Sequence, residues 1–346
     1  MGGVFMLELH LFRIVGTVLA HTWKGVPSTK QLLAGLIILS IHPTVTRGQE
    51  DVHRQLSQAI LLEQEGQYDK AGRILRWMVQ SGAAGNGQAR SAWTLLGVAY
   101  EQKGQYLQAR RAFEQALQIL KCDPQHLPEY GNALQLFAGF LYLTEDPELA
   151  VKTLTRALRI HQQLEDHRGM AGDYANLAAF EINRKQLRSA RTSLQHAMSE
   201  AHLTSELSDD DAAFLSNTHG WLAKLDGDPK TELDECRHNL ELLKRSRGGD
   251  APSTGWAYLF VGDAYAEIRA WDEALTNMRT GLEVLGRSVG NDNPQYLAGE
   301  TLLARVLNRH GMHEEAMQLR KHIDQALGNL RREECVGCTV SAASLH

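Results

Sequence analysis

Proline is scarce in this chain, with 8 among 346 residues, so long uninterrupted helices are allowed. Cysteine is scarcer still. Cys122, Cys236, Cys335 and Cys338 are too few to build a fold on disulfides. There is no excess of positive charge. The formal net charge is −5; residues 1–48 carry Arg13, Lys24, Lys30 and Arg47 against Glu8, a net of +3, which leaves −8 on the remainder. A mildly acidic body argues against nucleic acid as a partner, because that role needs a basic face. Strand-like alternation of useful length is missing between residues 50 and 330. So are a phosphate loop, a nucleophile elbow and a dinucleotide fingerprint. Asp209, Asp210 and Asp211 lack the loop spacing of a calcium-binding hand. What is present from residue 50 onward is Ala, Leu, Gln, Glu and Arg, all good helix formers. The balance of 43% hydrophobic and 22% charged residues is that of an ordinary soluble chain. The length suits one long solenoid or two compact domains.

Residues 1–48 differ from the rest. Lys30 precedes the apolar stretch Leu32–Ile41, which matches the hydrophobic region of a secretory signal and falls short of a bilayer span. Small residues at Thr46 and Gly48 suit cleavage before Gln49. A second apolar stretch, Ile14–Ala20, lies behind Arg13, so translation starting nearer Lys30 is one explanation of the long leader. The expectation is an exported protein, periplasmic or secreted. The alternative is a chain anchored by an uncleaved N-terminal segment, the one case in which it would touch a membrane.

The body is periodic. Trp93, Leu96, Gly97 and Tyr100 form W-x2-L-G-x2-Y, followed by Gly104, Tyr106, Ala109, Phe113 and Ala116. Small Gly97 and Ala109 suit a close helix crossing; large Trp93, Leu96, Tyr100 and Phe113 fill the space between neighbouring helices. The turn Glu63–Tyr68, EQEGQY, recurs as EQKGQY at Glu101–Tyr106. A small residue early in each second helix recurs at Ala71, Ala109, Ala150, Ala190, Ala274 and Ala316, with Glu232 breaking the rule. The steps are 38, 41, 40, 42, 42 and 42 residues. In the first helices the small residue is Gly97, Ala138, Ala178, Gly220, Gly262 and Ala304. Helix starts are marked by Asp146-Pro147, Asp228-Pro229, Ser208 before three aspartates, and Asn293-Pro294. The pattern predicts an all-α solenoid of about seven antiparallel helix pairs over residues 49–330. Residues 331–346 lose the pattern and read as a flexible tail.

These motifs resemble tetratricopeptide repeats, a helix–turn–helix unit. The long step near 42 looks like the kinesin-light-chain type, seen best from Asn291 to Ala316; bacterial proteins carry many such repeats. The resemblance implies a right-handed superhelix whose concave groove binds a protein or an extended peptide, without enzymatic activity and without a cofactor. The family's groove positions fall on Thr94, Glu101, Gln135, Tyr142, Asn176, Asn217, Trp221, Asp263, Arg305 and Asn308. Amides among them suit a peptide backbone, since each both donates and accepts. Trp221 and Tyr142 offer apolar anchoring area. The bland reading is a solvated helix face that simply carries polar residues. The set is mixed in sign and lacks the Lys/Arg cluster of a carboxylate clamp.

No metal site is expected. His310 and His313 lack the H-E-x-x-H order that places two ligands and a base on one helix face. Cys335 and Cys338 form a C-x-x-C in the tail, outside the strand-to-helix context of a redox site, and read as a local disulfide or as idle. Cys122 falls at a loop start and Cys236 inside a helix. The leading expectation is an exported scaffold that holds partners along its groove. The alternative is a regulatory sensor that binds a peptide or small ligand and passes on a change of superhelix shape.

Overall fold

The computed structural model describes residues 47–81, 86–121, 127–144, 146–205 and 207–333. The proposed leader up to residue 46, Cys122, and the pair Cys335 and Cys338 lie outside them. The described residues form fourteen helices and no strand, arranged as seven consecutive antiparallel pairs. The pairs are α1 (Arg47–Gln64) with α2 (Tyr68–Gln80), α3 (Asn86–Gln102) with α4 (Tyr106–Lys121), and α5 (Leu127–Leu143) with α6 (Pro147–Gln163). Then come α7 (His167–Asn183) with α8 (Leu187–Leu203), and α9 (Asp209–Asp226) with α10 (Pro229–Arg247). Last are α11 (Pro252–Glu267) with α12 (Trp271–Val289), and α13 (Pro294–His310) with α14 (His313–Glu333). Each second helix also packs on the next first helix, so the stack is continuous. First helices of successive pairs also pack on one another at four of the six steps, which makes them the inner layer.

The periodic small residue explains the pairing. Ala71, Ala109, Ala150, Ala190, Ala274 and Ala316 are all completely buried, where the second helix crosses the first. On the other side of the crossing, a methyl group built on Gly262 would lie 2.5 Å from Met278 Cγ, and one on Gly97 would lie 2.9 Å from the Phe113 ring. Large residues fill the remaining space. Phe113 sits 5.8 Å from Phe137 and 5.5 Å from Phe140, ring centre to ring centre, and joins the second pair to the third. One apolar cluster runs from Val52 to Ala316.

The turns inside the pairs share one conformation. The residue five before the small residue has positive φ at Gly66 (74°), Gly104 (73°), Lys185 (58°), Gly227 (74°), Arg269 (61°) and Gly311 (93°). There the residue after the turn donates its N–H back to a carbonyl five earlier, as Gln67 does to Leu62 and Asp228 to Ala223. Gly fits this left-handed position freely; Lys185 and Arg269 hold it at a cost.

Helix starts follow the sequence signals. The Asp146 carboxylate accepts from Leu149 N–H at 3.1 Å, with Pro147 in the first turn. Asp228 does the same for Thr231 ahead of α10, and Asn293 accepts from Gln295 N–H ahead of α13. Ser208 and Asp211 form a reciprocal capping box on α9. The three aspartates there have a second role, because each meets an arginine: Asp209 with Arg245, Asp210 with Arg247, and Asp211 with Arg168. Asp166 caps α7 through Gly169 N–H, a start that lacks the proline signal.

Second helices bury a single stripe. First helices are covered on most of their circumference: Tyr130 to Leu141 of α5 is an unbroken buried run, and α11 is nearly so. Helices buried all round form the interior of a stack rather than its surface.

Candidate functional site

The inner layer carries a row of buried polar side chains, and they divide into three kinds. The first kind locks one repeat to the next. His161 of α6 is completely buried, and its Nδ1 meets Asp173 Oδ2 of α7 at 2.5 Å. The imidazole lies between two glycines. A methyl group on Gly131 would fall 2.5 Å from its Nε2, and one on Gly169 would fall 2.6 Å from its ring. Gln135 completes the lock by donating Nε2–H to Asp173 Oδ1 at 2.5 Å and to the Gly169 carbonyl at 3.3 Å. Tyr142 also bridges these repeats. Its hydroxyl donates to the Phe180 carbonyl at 3.0 Å and its ring stacks on Phe180 at 4.0 Å, while burial pushes its pKa up.

The second kind is a charge network in the last three pairs. Lys224 Nζ donates to Glu232 Oε1 (2.9 Å), Asp263 Oδ2 (2.9 Å) and Glu267 Oε1 (2.8 Å). Arg309 forms two bonds to Glu267, at 2.8 and 3.0 Å, and Arg305 approaches Asp263 at 3.3 Å. Three cations thus meet three carboxylates. Burial pushes the Glu232 carboxyl up to about 7 against the pull of Lys224. Burial pushes Glu267 the same way, but hydrogen bonds from Arg309 and Lys224 hold it down to about 2. Lys224 is buried too, yet Asp263 and Glu232 raise its pKa above the ordinary lysine value. Glu232 breaks the small-residue rule because it reaches this lysine.

The third kind has no protein partner. Asn132 of α5, Asn176 of α7 and Asn217 of α9 are 6%, 4% and 6% exposed. None of the three amides has a hydrogen-bond partner among the described residues, and none is sealed completely from the outside. Three consecutive first helices therefore each present one unengaged amide. A buried amide that neither donates nor accepts is costly unless water or a ligand completes it.

Of the positions carried over from the groove pattern, Asn176 and Asn217 belong to this third kind. Gln135, Tyr142, Asp263 and Arg305 are engaged in inter-repeat bonds. The structure brings Asp263 and Arg305 together. Trp221 is 8% exposed and packs in the core cluster. Asn308 faces His313 Nδ1 at 3.2 Å beside the last turn. Thr94 bonds the Arg90 carbonyl of its own helix, and Glu101 is buried. Asn132 was not among the expected positions. It stands six residues before the small Ala138, on the same helix face as the positions used, so the repeat count extended by one turn would have found it. Among the described residues no group of three His, Cys, Asp or Glu side chains converges in a way that could hold a metal ion. His310 stacks on Trp271 at 4.8 Å. Among the same residues no helix is long and apolar enough to cross a membrane.

Residues 88–163 match the family model of the tetratricopeptide repeat. No curated protein matches the chain in sequence. Among solved structures it is similar to a Rap protein complexed with competence and sporulation factor: 14% identical, over 94% of this chain and 98% of that one, with a TM-score of 0.60. It is also similar to the anaphase-promoting-complex assembly Cut9-Hcn1, at 16% identity over 87% of this chain and 56% of that one, TM-score 0.52. A putative kinesin light chain of Podosopora anserina, with nearly identical TPR-like repeats, is 15% identical over 58% of this chain and 95% of that one, TM-score 0.45. At these identities the likeness is one of fold.

Proposed function

We propose that the chain is a tetratricopeptide-repeat protein beyond the matched residues 88–163, and a non-enzymatic binding scaffold whose inner face takes an extended peptide. The observation that carries this reading is the row of unengaged amides at Asn132, Asn176 and Asn217. An asparagine amide offers both a donor and an acceptor, which matches the backbone of a strand-like peptide. Packed helices lie about 8–10 Å apart, and an extended peptide advances about 3.3 Å per residue. One amide per helix therefore reads roughly every third residue, and three helices span about six or seven. Backbone recognition supplies affinity with little sequence preference. Specificity then falls to the side chains around the row, Tyr142 and the Lys224 network among them. The full-length fold likeness to a Rap protein solved in complex with a competence and sporulation factor supports the reading.

The test uses the full chain and a pool of random heptapeptides. Peptides retained by the parent are titrated against the Asn176→Ala, Asn217→Ala double variant. Loss of two backbone-reading amides should weaken binding at least about tenfold. Equal affinity in parent and variant would refute the reading. Export belongs to the same proposal, on the strength of Lys30 and Leu32–Ile41 alone. N-terminal sequencing of the protein made in a bacterial host should find Gln49 first, and an intact N terminus would refute it.

A further inference from the structure

The first two pairs meet the last two, the first against the sixth and the second against the seventh. A methyl group built on Gly66, in the turn of the first pair, would lie 2.8 Å from Pro252 Cγ, 3.2 Å from the Ser288 carbonyl oxygen and 3.3 Å from Val289 Cγ1. In the second pair, Gln102 Oε1 accepts from Gln295 Nε2 at 2.8 Å, across 193 positions of sequence. Beside it, Gly104 faces Pro294. The winding of the stack thus brings the turns of pairs one and two onto the helix starts of pairs six and seven. The solenoid closes on itself along a seam.

This seam is poorly satisfied. Glu63 is 1% exposed, and neither carboxyl oxygen has a hydrogen-bond partner among the described residues. Burial raises its pKa, and Arg247 only partly offsets this, because that guanidinium is committed to Asp210 at 2.8 Å. Gln102 Nε2 and Gln295 Oε1 are also buried without partners. The inter-repeat lock formed by His161, Asp173 and Gln135 is bonded at close range, with Gln135 Oε1 left unpaired. Each buried polar group left unpaired at the seam disfavours the closed form, so the closure is held at a cost. The inner helices are covered on nearly all sides and Asn176 is 4% exposed, so a ligand the size of a peptide needs an opening to engage it.

We propose that the seam is a latch: pairs one and two part from pairs six and seven as a unit, and the parting admits a peptide to the inner face. The opening stands on the seam geometry; the admission of a peptide rests on the binding reading above. Two turns with the same backbone conformation give a controlled test. Gly66 and Gly227 both have φ 74°, but a methyl group on Gly227 meets nothing within 4 Å. Gly66→Ala and Gly227→Ala therefore carry the same local strain, and only the first collides across the seam.

Both variants are made in the full chain without ligand and followed by hydrogen exchange and solution scattering. Gly66→Ala should exchange about tenfold faster at residues 247–252 and 288–295 and show a larger radius of gyration. Gly227→Ala should do neither. Equal behaviour of the two variants would overturn the latch. Should Gly66→Ala fail to fold, the double variant Gln102→Leu, Gln295→Leu decides. It removes the two unpaired amide atoms together with the bond between the two side chains, and should slow exchange at residues 63–68 and 288–295; unchanged exchange there would overturn the latch. For the admission step, random heptapeptides should associate faster with Gly66→Ala than with the parent, and equal rates would overturn that half. A parent that binds no peptide would overturn the binding reading and leave the exchange result standing.

Discussion

Replacing Glu232 by Gln should stabilise the protein at neutral and higher pH and do little in mild acid. Glu232 occupies the crossing position that alanine holds in the six other pairs, and its side chain is 5% exposed. Lys224 reaches it at 2.9 Å but shares its charge with Asp263 and Glu267. Burial therefore prevails, and the carboxyl titrates at about 7 in place of 4.5. The folded chain holds this proton more tightly than the unfolded chain does. Between 4.5 and about 7 the folded state thus binds more protons, and stability contributed at this site falls as pH rises through that window. At about 1.4 kcal/mol per pKa unit, the full loss is about 3 kcal/mol. Gln stays neutral throughout, and Lys224 keeps its two other carboxylates. The difference Glu232→Gln minus parent should therefore be near zero at about pH 4.5 and reach about 3 kcal/mol in favour of the variant at about pH 8. Glu267, held down to about 2, works in the opposite sense: its contribution is lost as pH falls from 4.5 toward 2. It is common to both proteins and cancels in the difference. Urea unfolding followed by circular dichroism across this range gives the comparison. A gap that does not change with pH, or a parent more stable at high pH, would refute the reasoning.

Four other changes have definite expected outcomes. Lys185→Gly and Arg269→Gly relieve left-handed backbone at φ 58° and 61° and should each raise stability by about 1 kcal/mol, read as a higher unfolding midpoint. His161→Ala leaves the fully buried Asp173 carboxylate with only Gln135 as a side-chain partner and should lose about 3–5 kcal/mol in chemical unfolding. Asn239→Ala removes a bond of 2.7 Å from a fully buried amide to the Ala213 carbonyl; a loss of about 1–3 kcal/mol is expected, and no loss would show the bond to be idle.

Most of the architecture was legible in the residue count. The small residue at each helix crossing must be small for steric reasons, so its recurrence reports the repeat directly. The seven pairs, the helix starts at Asp146, Ser208, Asp228 and Asn293, and the turn glycines all follow from such local requirements. Where the count failed, the cause was chemical. Glu232 breaks the rule because Lys224, largely buried on the first helix of the same pair, needs a counter-charge. Lys185 and Arg269 stand in a glycine position, where local strain is absorbed by the fold. The site was less legible. The family pattern tells which face a residue points to, but not whether a neighbouring repeat has already claimed it. Gln135 and Asp263 have been claimed in this way, by Asp173 and by Lys224; Asn176 and Asn217 have not. The lock at His161 depends on two glycines in different helices, Gly131 and Gly169, and no spacing rule links them. The seam was invisible for a similar reason. Gln102 and Gln295 meet only because the superhelix comes round on itself, a sum of small rotations that no single repeat encodes.

The most direct test of the inner-face assignment is hydrogen exchange of the full chain with and without a heptapeptide selected from the random pool. New protection confined to residues 130–143, 169–183 and 209–226, the helices that carry Asn132, Asn176 and Asn217, is the predicted result. Protection on the outer helices α6, α8 and α10 instead would contradict it.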